Sequence, residues 1–290
     1  MGNLCINRTN DAVFKTIFAN QQHKDITLSL INAIFEFQGT EQVADIHFID
    51  RELNADRSNG KDSRLDLLGE TNDGILINIE IQVAPMQSMG RRSLFYWSRL
   101  YNHLRSGDKY TKLRRTVAIN ILEFNLFDGA EYPDYHSCFG VYNIKTRQQL
   151  TTDLEIHFLE LPKWKMKNIK EMNRLEKWLS YFSKATSNEE LEEIAMSEPM
   201  IRQALNAETI FSTDRVKRRA YEKAEKARRD RIAELDYAME KGMEKGMEKG
   251  MEKGMENVAR AMLQRGMRLE EVAEISKLPV EHLKTLLPTQ

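Results

Sequence analysis

Apolar and polar positions along the chain follow two distinct periods. Near the start, Asn10-Asp11 precedes Val13, Phe14, Ile17 and Phe18, a capping pair followed by apolar residues at helical spacing. Ile26, Leu30, Ile31 and Ile34 repeat that spacing over Asp25 to Phe37, and Gly39 ends it. Val43 to Phe48 alternates like a short strand, and the polar stretch Arg51 to Ser63 reads as a loop. The strongest period-two signal follows: Ile75, Ile77, Ile79, Ile81 and Val83 point one way, and Asn78, Glu80 and Gln82 the other. Arg64 to Gly69 supplies a partner strand, joined through Asn72-Asp73-Gly74, a three-residue loop whose glycine accepts positive φ. That loop pairs Thr71 with Ile75. The same register sets Asp66 opposite Glu80 on one face, whereas a slip of one residue would turn Asp66 to the other.

Further on, Arg91 to Arg105 predicts a helix bearing Phe95, Trp97, Tyr101 and Leu104, its apolar residues turned to a core. Thr116 to Leu122 has the composition of a buried strand. Phe139–Ile144 and Glu155–Leu161 add strand-like runs, and Pro162 closes the last. Lys170 to Glu208 is helical in pattern, with Leu175, Trp178, Leu179 and Phe182 in phase. This order predicts an α/β fold, a mixed sheet flanked by helices, with a helical C-terminal extension. The extension contains Gly-Met-Glu-Lys repeats, with glycines at 242, 246, 250 and 254. On a helix of 3.6 residues per turn the methionine stripe drifts by about 40° per repeat, and each glycine costs about 0.5–1 kcal/mol against alanine. The repeat is therefore either a flexible spacer or a helix stabilised by pairing, in which methionines fill uneven gaps. Val258 to Leu287 reads as short helices broken near Gly266 and Pro279. Their spacing is helix-turn-helix-like, but Lys277 stands in the turn-glycine place and few base-reading residues follow. Self-association, as a homo-oligomer such as a dimer, is favoured over sequence recognition. The resulting division is 1–214, 215–257 and 258–290.

Composition refines this picture. Of 290 residues, 41% are apolar and 30% charged, enough to bury a core. The net charge of −1 conceals a bias: residues 215–290 carry 18 Lys+Arg against 14 Asp+Glu, and residues 1–214 carry 25 against 30. Two cysteines, Cys5 and Cys138, make neither a disulfide framework nor a four-ligand zinc site. The start shows no basic region followed by an apolar stretch, and no apolar run is long enough to cross a membrane. A reducing cytoplasm is the expectation. The histidines show no HxxxH or HxH spacing, which gives a zinc enzyme little support, and neither a P-loop, a GxGxxG after a strand, nor a nucleophile elbow is present. What is left is a metal hydrolase, or no enzyme.

Two carboxylates facing each other across a hairpin are costly unless a positive charge lies between them. A divalent cation answers that need, with oxygen ligands suited to Mg²⁺ or Mn²⁺. In the plainer reading, Asp66 and Glu80 line a wet face beside Arg64. Asp66, a turn, and Glu80-Ile81-Gln82 together resemble the PD-(D/E)XK phosphodiesterase motif, with Gln82 where the motif ends in lysine. Asn10–Phe18, Lys61–Val83, and Leu94-Phe95-Tyr96-Trp97 through Tyr101, Gly107 and Tyr110 to Ile121 resemble the recombination-promoting nuclease branch, also described as transposase-like. The glycine-punctuated repeat and short helical end are similar to that branch as well. The likeness is looser between about 125 and 230.

The resemblance implies a restriction-endonuclease-like core, in which Asp66, Glu80 and the carbonyl of Ile81 hold a divalent metal ion, Mg²⁺ first and Mn²⁺ or Ca²⁺ after it. It implies a DNA endonuclease of low sequence specificity, active in recombination, with mobile-element biology or phage defence as the setting. Gln82 can position a water but supplies no charge. Lys61 is a candidate for the missing cation, or simply a loop lysine. Asp11 is either a carboxylate of the site or a plain helix cap. Arg91, Arg92 and Arg99 are candidates for phosphate contacts. Arg215 to Arg231 suits a DNA backbone, but its interleaved Glu222, Glu225 and Asp230 equally suit a solvated helix face. The alternative to an enzyme is a DNA-binding or assembly protein that kept the fold without turnover.

Overall fold

Caps and apolar faces set the first elements. In the computed structural model, which describes residues 6–36, 39–49, 66–102, 104 and 106–286, Asn10 caps helix α1 (Asp11–Phe18) by accepting the Ala12 N–H at 2.9 Å. Val13, Phe14, Ile17 and Phe18 of α1 are buried, as is nearly all of α2 (Lys24–Ile34). Strands β1 (Ile46–Phe48), β2 (Leu67–Thr71) and β3 (Leu76–Gln82) follow, then α3 (Met89–Tyr101), β4 (Thr116–Leu122), β5 (His136–Tyr142) and β6 (Gln149–Glu160). The sheet order is β1-β2-β3-β4-β6-β5. The central pairs β3–β4 and β4–β6 are parallel and the outer pairs antiparallel.

Parallel strands need covered faces, and both faces are covered. Ile77, Ile79, Val117, Ile119, Ile121 and Leu159 join Phe14, Phe18 and Trp178 in the main core, under α1, α2 and α4 (Arg174–Phe182). On the opposite face Ala118, Leu122, Ile156 and Phe158 pack with Met89 and Trp97 of α3. The α/β architecture is thus the mixed sheet flanked by helices that the pattern predicts.

The long helical stretch after residue 170 is divided by its own caps. Asn173 and Glu176 form a capping box at α4, and Ser187 and Glu190 another at α5 (Asn188–Ser197); Pro199 opens α6 (Pro199–Thr213). Strand β5 stops at Tyr142 rather than Ile144. Asn143 Oδ1 accepts the N–H groups of Lys145 and Thr146 at 2.9 and 3.0 Å, and Arg147 takes a φ of 60°, which closes a turn there. Helix α3 ends at Tyr101, and its Leu94 and Phe95 are about half exposed, not core.

The chain divides into two units, Met1–Arg228 and Arg229–Gln290. Helix α7 (Arg215–Gln264) begins in the first, where Glu225 accepts from Asn7 Nδ2 at 3.0 Å and Asn10 Nδ2 at 2.8 Å, and Arg228 meets Glu123 at 3.1 Å. The repeat is helical throughout, with Met239, Met243, Met247 and Met251 exposed. In the second unit Ala259, Val272 and Leu283 form a small core with α8 (Leu269–Ser276) and α9 (Val280–Thr285). Lys277 follows α8 in the left-handed conformation, at a φ of 57°. Among the described residues, no helix is long and apolar enough to cross a membrane.

Candidate active site

The β2–β3 hairpin carries the predicted register. Leu67 pairs with Ile79, Leu68 with Asn78, Gly69 with Ile77 and Glu70 with Leu76, and Thr71 donates to the carbonyl of Ile75 at 2.9 Å. Gly74 closes the loop with a φ of 78°. Asp66 stands just before the first paired residue of β2, and its Oδ2 accepts the Ile81 N–H at 2.9 Å. The carboxylate therefore extends the ladder in place of a backbone carbonyl, beside the residue whose own carbonyl is the expected metal ligand.

Helix α1 brings two more groups to Asp66. Lys15 Nζ lies 3.1 Å from Asp66 Oδ1 and also pairs with Asp11, one helical turn back. The Asp66 side chain is only 16% exposed. Burial, and next a hydrogen bond shared with Asp11, push its carboxyl up to about 7; Lys15 and the Ile81 N–H pull the other way, while the charge of Asp11 adds to the rise. The N-cap of α1 is Asn10, and Asp11 shares Lys15 with Asp66. Lys15 was not singled out in the sequence. Its signal was available, an i,i+4 Asp–Lys pair on a capped helix, but nothing local tied that pair to Asp66.

Glu80 is 4% exposed, on the face covered by α3, where Arg92 Nε approaches its Oε2 at 3.7 Å. Helix α3 is pinned above this face at three points. Ser93 donates to Asn120 Oδ1 at 2.9 Å, Trp97 Nε1 to the Thr116 carbonyl at 2.7 Å, and Tyr101 to Asp153 at 2.8 Å. Asn120, the β4 partner of Glu80, in turn donates to the His157 carbonyl at 3.0 Å. Two residues before Glu80, the buried Asn78 Oδ1 has no hydrogen-bond partner among the described residues. An orphan acceptor costs about 1–3 kcal/mol and calls for a cation or water.

Gln82 ends β3, and its amide donates to the Ala84 carbonyl at 3.2 Å. Arg92 lies over the Tyr96 ring at 4.7 Å and Arg99 over Phe95 at 5.8 Å; Arg91 is exposed at the start of the same helix. Lys61 and Arg64 lie outside the described residues. The oxygen-only donors Asp66, Glu80 and the Ile81 carbonyl suit a hard divalent cation. Such an ion would share Asp66 with Lys15.

A second grouping was not legible in the linear spacing. Among the described residues, the one set of three side chains whose His, Cys or carboxylate atoms all lie within 4.8 Å of one another is Cys138, Glu155 and His157. Asp11, Asp66 and Glu80 do not form such a set. Partial burial, and next the charge of Glu155, raise the thiol of Cys138, whose surface stays exposed, to about 11; burial, and next the neighbouring His157, lower His136 to about 4. The histidine spacing gave no hint of this cluster because β5 and β6 bring it together across the sheet.

No curated protein and no solved structure matches the sequence. A family match extends over residues 8–238, from the second residue before the α1 cap into α7, and so takes in the hairpin, α3 and the whole sheet. With Asp66 bound to the strand that bears Glu80-Ile81-Gln82, the chain belongs to the PD-(D/E)XK nuclease family transposases.

Proposed function

We propose that the protein is a divalent-metal-dependent endonuclease that hydrolyses DNA phosphodiester bonds with low sequence specificity and serves recombination. The observation that carries this reading is Asp66, a largely buried carboxylate seated on the N–H of Ile81, next to Glu80 in a chain of nuclease family. In this reading Asp66, Glu80 and the Ile81 carbonyl hold the ion, with Mg²⁺ preferred. A bound ion of this kind supplies a Lewis acid for the phosphoryl oxygen and lowers the pKa of a water.

The remaining roles fall to the chain's own groups. Gln82 orients the attacking water but carries no charge. Lys15, 3.1 Å from Asp66, supplies a fixed positive charge beside the scissile phosphate, the part for which the sequence offers Lys61. Asp11 takes up part of Lys15 and tunes Asp66. Arg92 offsets Glu80, and Arg91 and Arg99 meet flanking phosphates, contacts that position a duplex without reading its sequence. The exposed methionines of the repeat favour self-association of the C-terminal region, which light scattering of the full chain would register.

The test is nicking of supercoiled plasmid with Mg²⁺, Mn²⁺ or Ca²⁺. The wild type is expected to cut, and Asp66→Ala and Glu80→Ala to abolish cutting while still binding DNA. Equal cutting by all three proteins removes the assigned site. DNA binding without cutting under every ion favours the turnover-free assembly protein instead.

A further inference from the structure

Strands β5 and β6 carry a second chemistry, remote in sequence from Asp66 and independent of the function proposed for it. Cys138 pairs directly with His157 across the two strands. Glu155 lies two residues along β6 and His136 two residues along β5, so all four side chains share one face of the sheet. Their separations are short: Cys138 Sγ to His157 Nε2 is 3.7 Å, His157 Nε2 to Glu155 Oε2 is 3.5 Å, and His136 Nε2 to His157 Nδ1 is 3.0 Å. These numbers can be set against a tetrahedral zinc site. Zn–S of about 2.3 Å and Zn–N and Zn–O of about 2.0–2.2 Å place neighbouring ligand atoms about 3.4–3.6 Å apart. The sulfur–nitrogen and nitrogen–oxygen spacings already match two edges of such a tetrahedron to within a few tenths of an ångström, and the third pair, sulfur and oxygen, lies within 4.8 Å.

The surroundings hold the three groups in that attitude. Arg115 Nη2 binds Glu155 Oε1 at 2.8 Å, which leaves Oε2 as the oxygen facing His157. His157 is 4% exposed, its ring 5.5 Å from that of Phe35 and stacked on His136 at 5.2 Å. When His157 donates its Nδ1–H to His136, its Nε2 presents a lone pair toward Cys138 and Glu155. A partner fixing the far nitrogen in this way is the usual support of a metal-bound imidazole. The cluster lines a cavity of about 360 Å³, walled also by Ile34 and Phe35, and Cys138 stands at its exposed edge.

We propose that Cys138, His157 and Glu155 form a binding site for a borderline-soft divalent metal of the zinc type, with His136 and Arg115 as positioning residues. One sulfur, one nitrogen and one oxygen select against Mg²⁺, which takes oxygen ligands, and favour Zn²⁺ or Co²⁺. Three protein ligands leave the fourth position to a water.

The test uses the full chain, stripped with a chelator and dialysed against limiting Zn²⁺ in excess Mg²⁺, with bound metal measured by mass spectrometry. One zinc per chain is expected in the wild type and in the Asp66→Ala, Glu80→Ala double variant, which separates this site from the acidic one. Cys138→Ser, at an exposed position, is expected to lose the zinc, and Glu155→Gln to weaken it by about tenfold or more. Cobalt-loaded wild type should show a thiolate-to-metal charge-transfer band in the near ultraviolet that Cys138→Ser lacks. Folded wild type that retains no zinc overturns the proposal, as does zinc and a cobalt band unchanged in Cys138→Ser. Zinc lost from the double variant but kept in Cys138→Ser also overturns it.

Discussion

Replacing Asp66 by asparagine should stabilise the metal-free protein, and increasingly so as the pH rises. The Asp66 carboxyl titrates near 7 in the fold against 3.8 in the free side chain, chiefly because it is buried. The folded state therefore binds this proton more tightly than the unfolded chain. Between those two values the folded chain carries the extra proton, so stability falls as pH rises through the window from 3.8 to 7 and is level above it. At about 1.36 kcal/mol per pKa unit the full penalty is at most about 4 kcal/mol, most of which accrues between pH 4.5 and pH 8. The asparagine amide keeps an oxygen for the Ile81 N–H but holds no charge to desolvate. Urea unfolding followed by tryptophan emission isolates the relevant unit, because Trp97, Trp164 and Trp178 all lie before Arg228. The stability gap between Asp66→Asn and wild type should widen by about 3 kcal/mol from pH 4.5 to pH 8. Millimolar Mg²⁺ at pH 8 should narrow it by stabilising the wild type alone. A gap that stays flat with pH would refute the buried-carboxylate reasoning.

Other substitutions probe the scaffold. Alanine at Gly242, Gly246, Gly250 and Gly254, where an added Cβ meets nothing within 4 Å, should strengthen the helix by about 0.5–1 kcal/mol per site; unchanged hydrogen-exchange protection over 239–256 would contradict a helical repeat. Lys277→Gly relieves a left-handed lysine and should stabilise the C-terminal unit by about 1 kcal/mol in thermal melts followed by circular dichroism. Gly69→Ala would set a Cβ 2.7 Å from Ile46 Cδ1 and 2.8 Å from its Cγ1, so the urea midpoint should fall by the equivalent of about 1–3 kcal/mol. Pairing it with Ile46→Ala should recover part of that loss, and a neutral Gly69→Ala would mean that β1 does not pack on β2 in this way.

Whatever depends on neighbours within a few residues was legible along the chain. A strict alternation of five apolar residues and a three-residue loop closed by Gly74 favour one hairpin register, so the pairing of Leu67 with Ile79 was readable from the sequence. Thr116 to Leu122 was readable as strand β4 for a similar reason, since a largely apolar run, broken only by Asn120 after its opening threonine, suits a strand covered on both faces. The capping boxes at Asn173 and Ser187 were equally local, although a continuous apolar phase masked the breaks they impose.

Which distant groups meet was left to the packing of the elements. Lys15 reaches Asp66 only because α1 packs across the end of the hairpin, a contact over some fifty residues that no periodicity encodes. Cys138 faces His157 only because β5 folds back on β6 with a bulged register, which converts an ordinary scatter of single residues into one cluster. Both contacts have one cause. Patterning specifies which face of an element is buried, whereas the positions of polar groups on separate elements follow from packing angles and strand order, which only the assembled core settles.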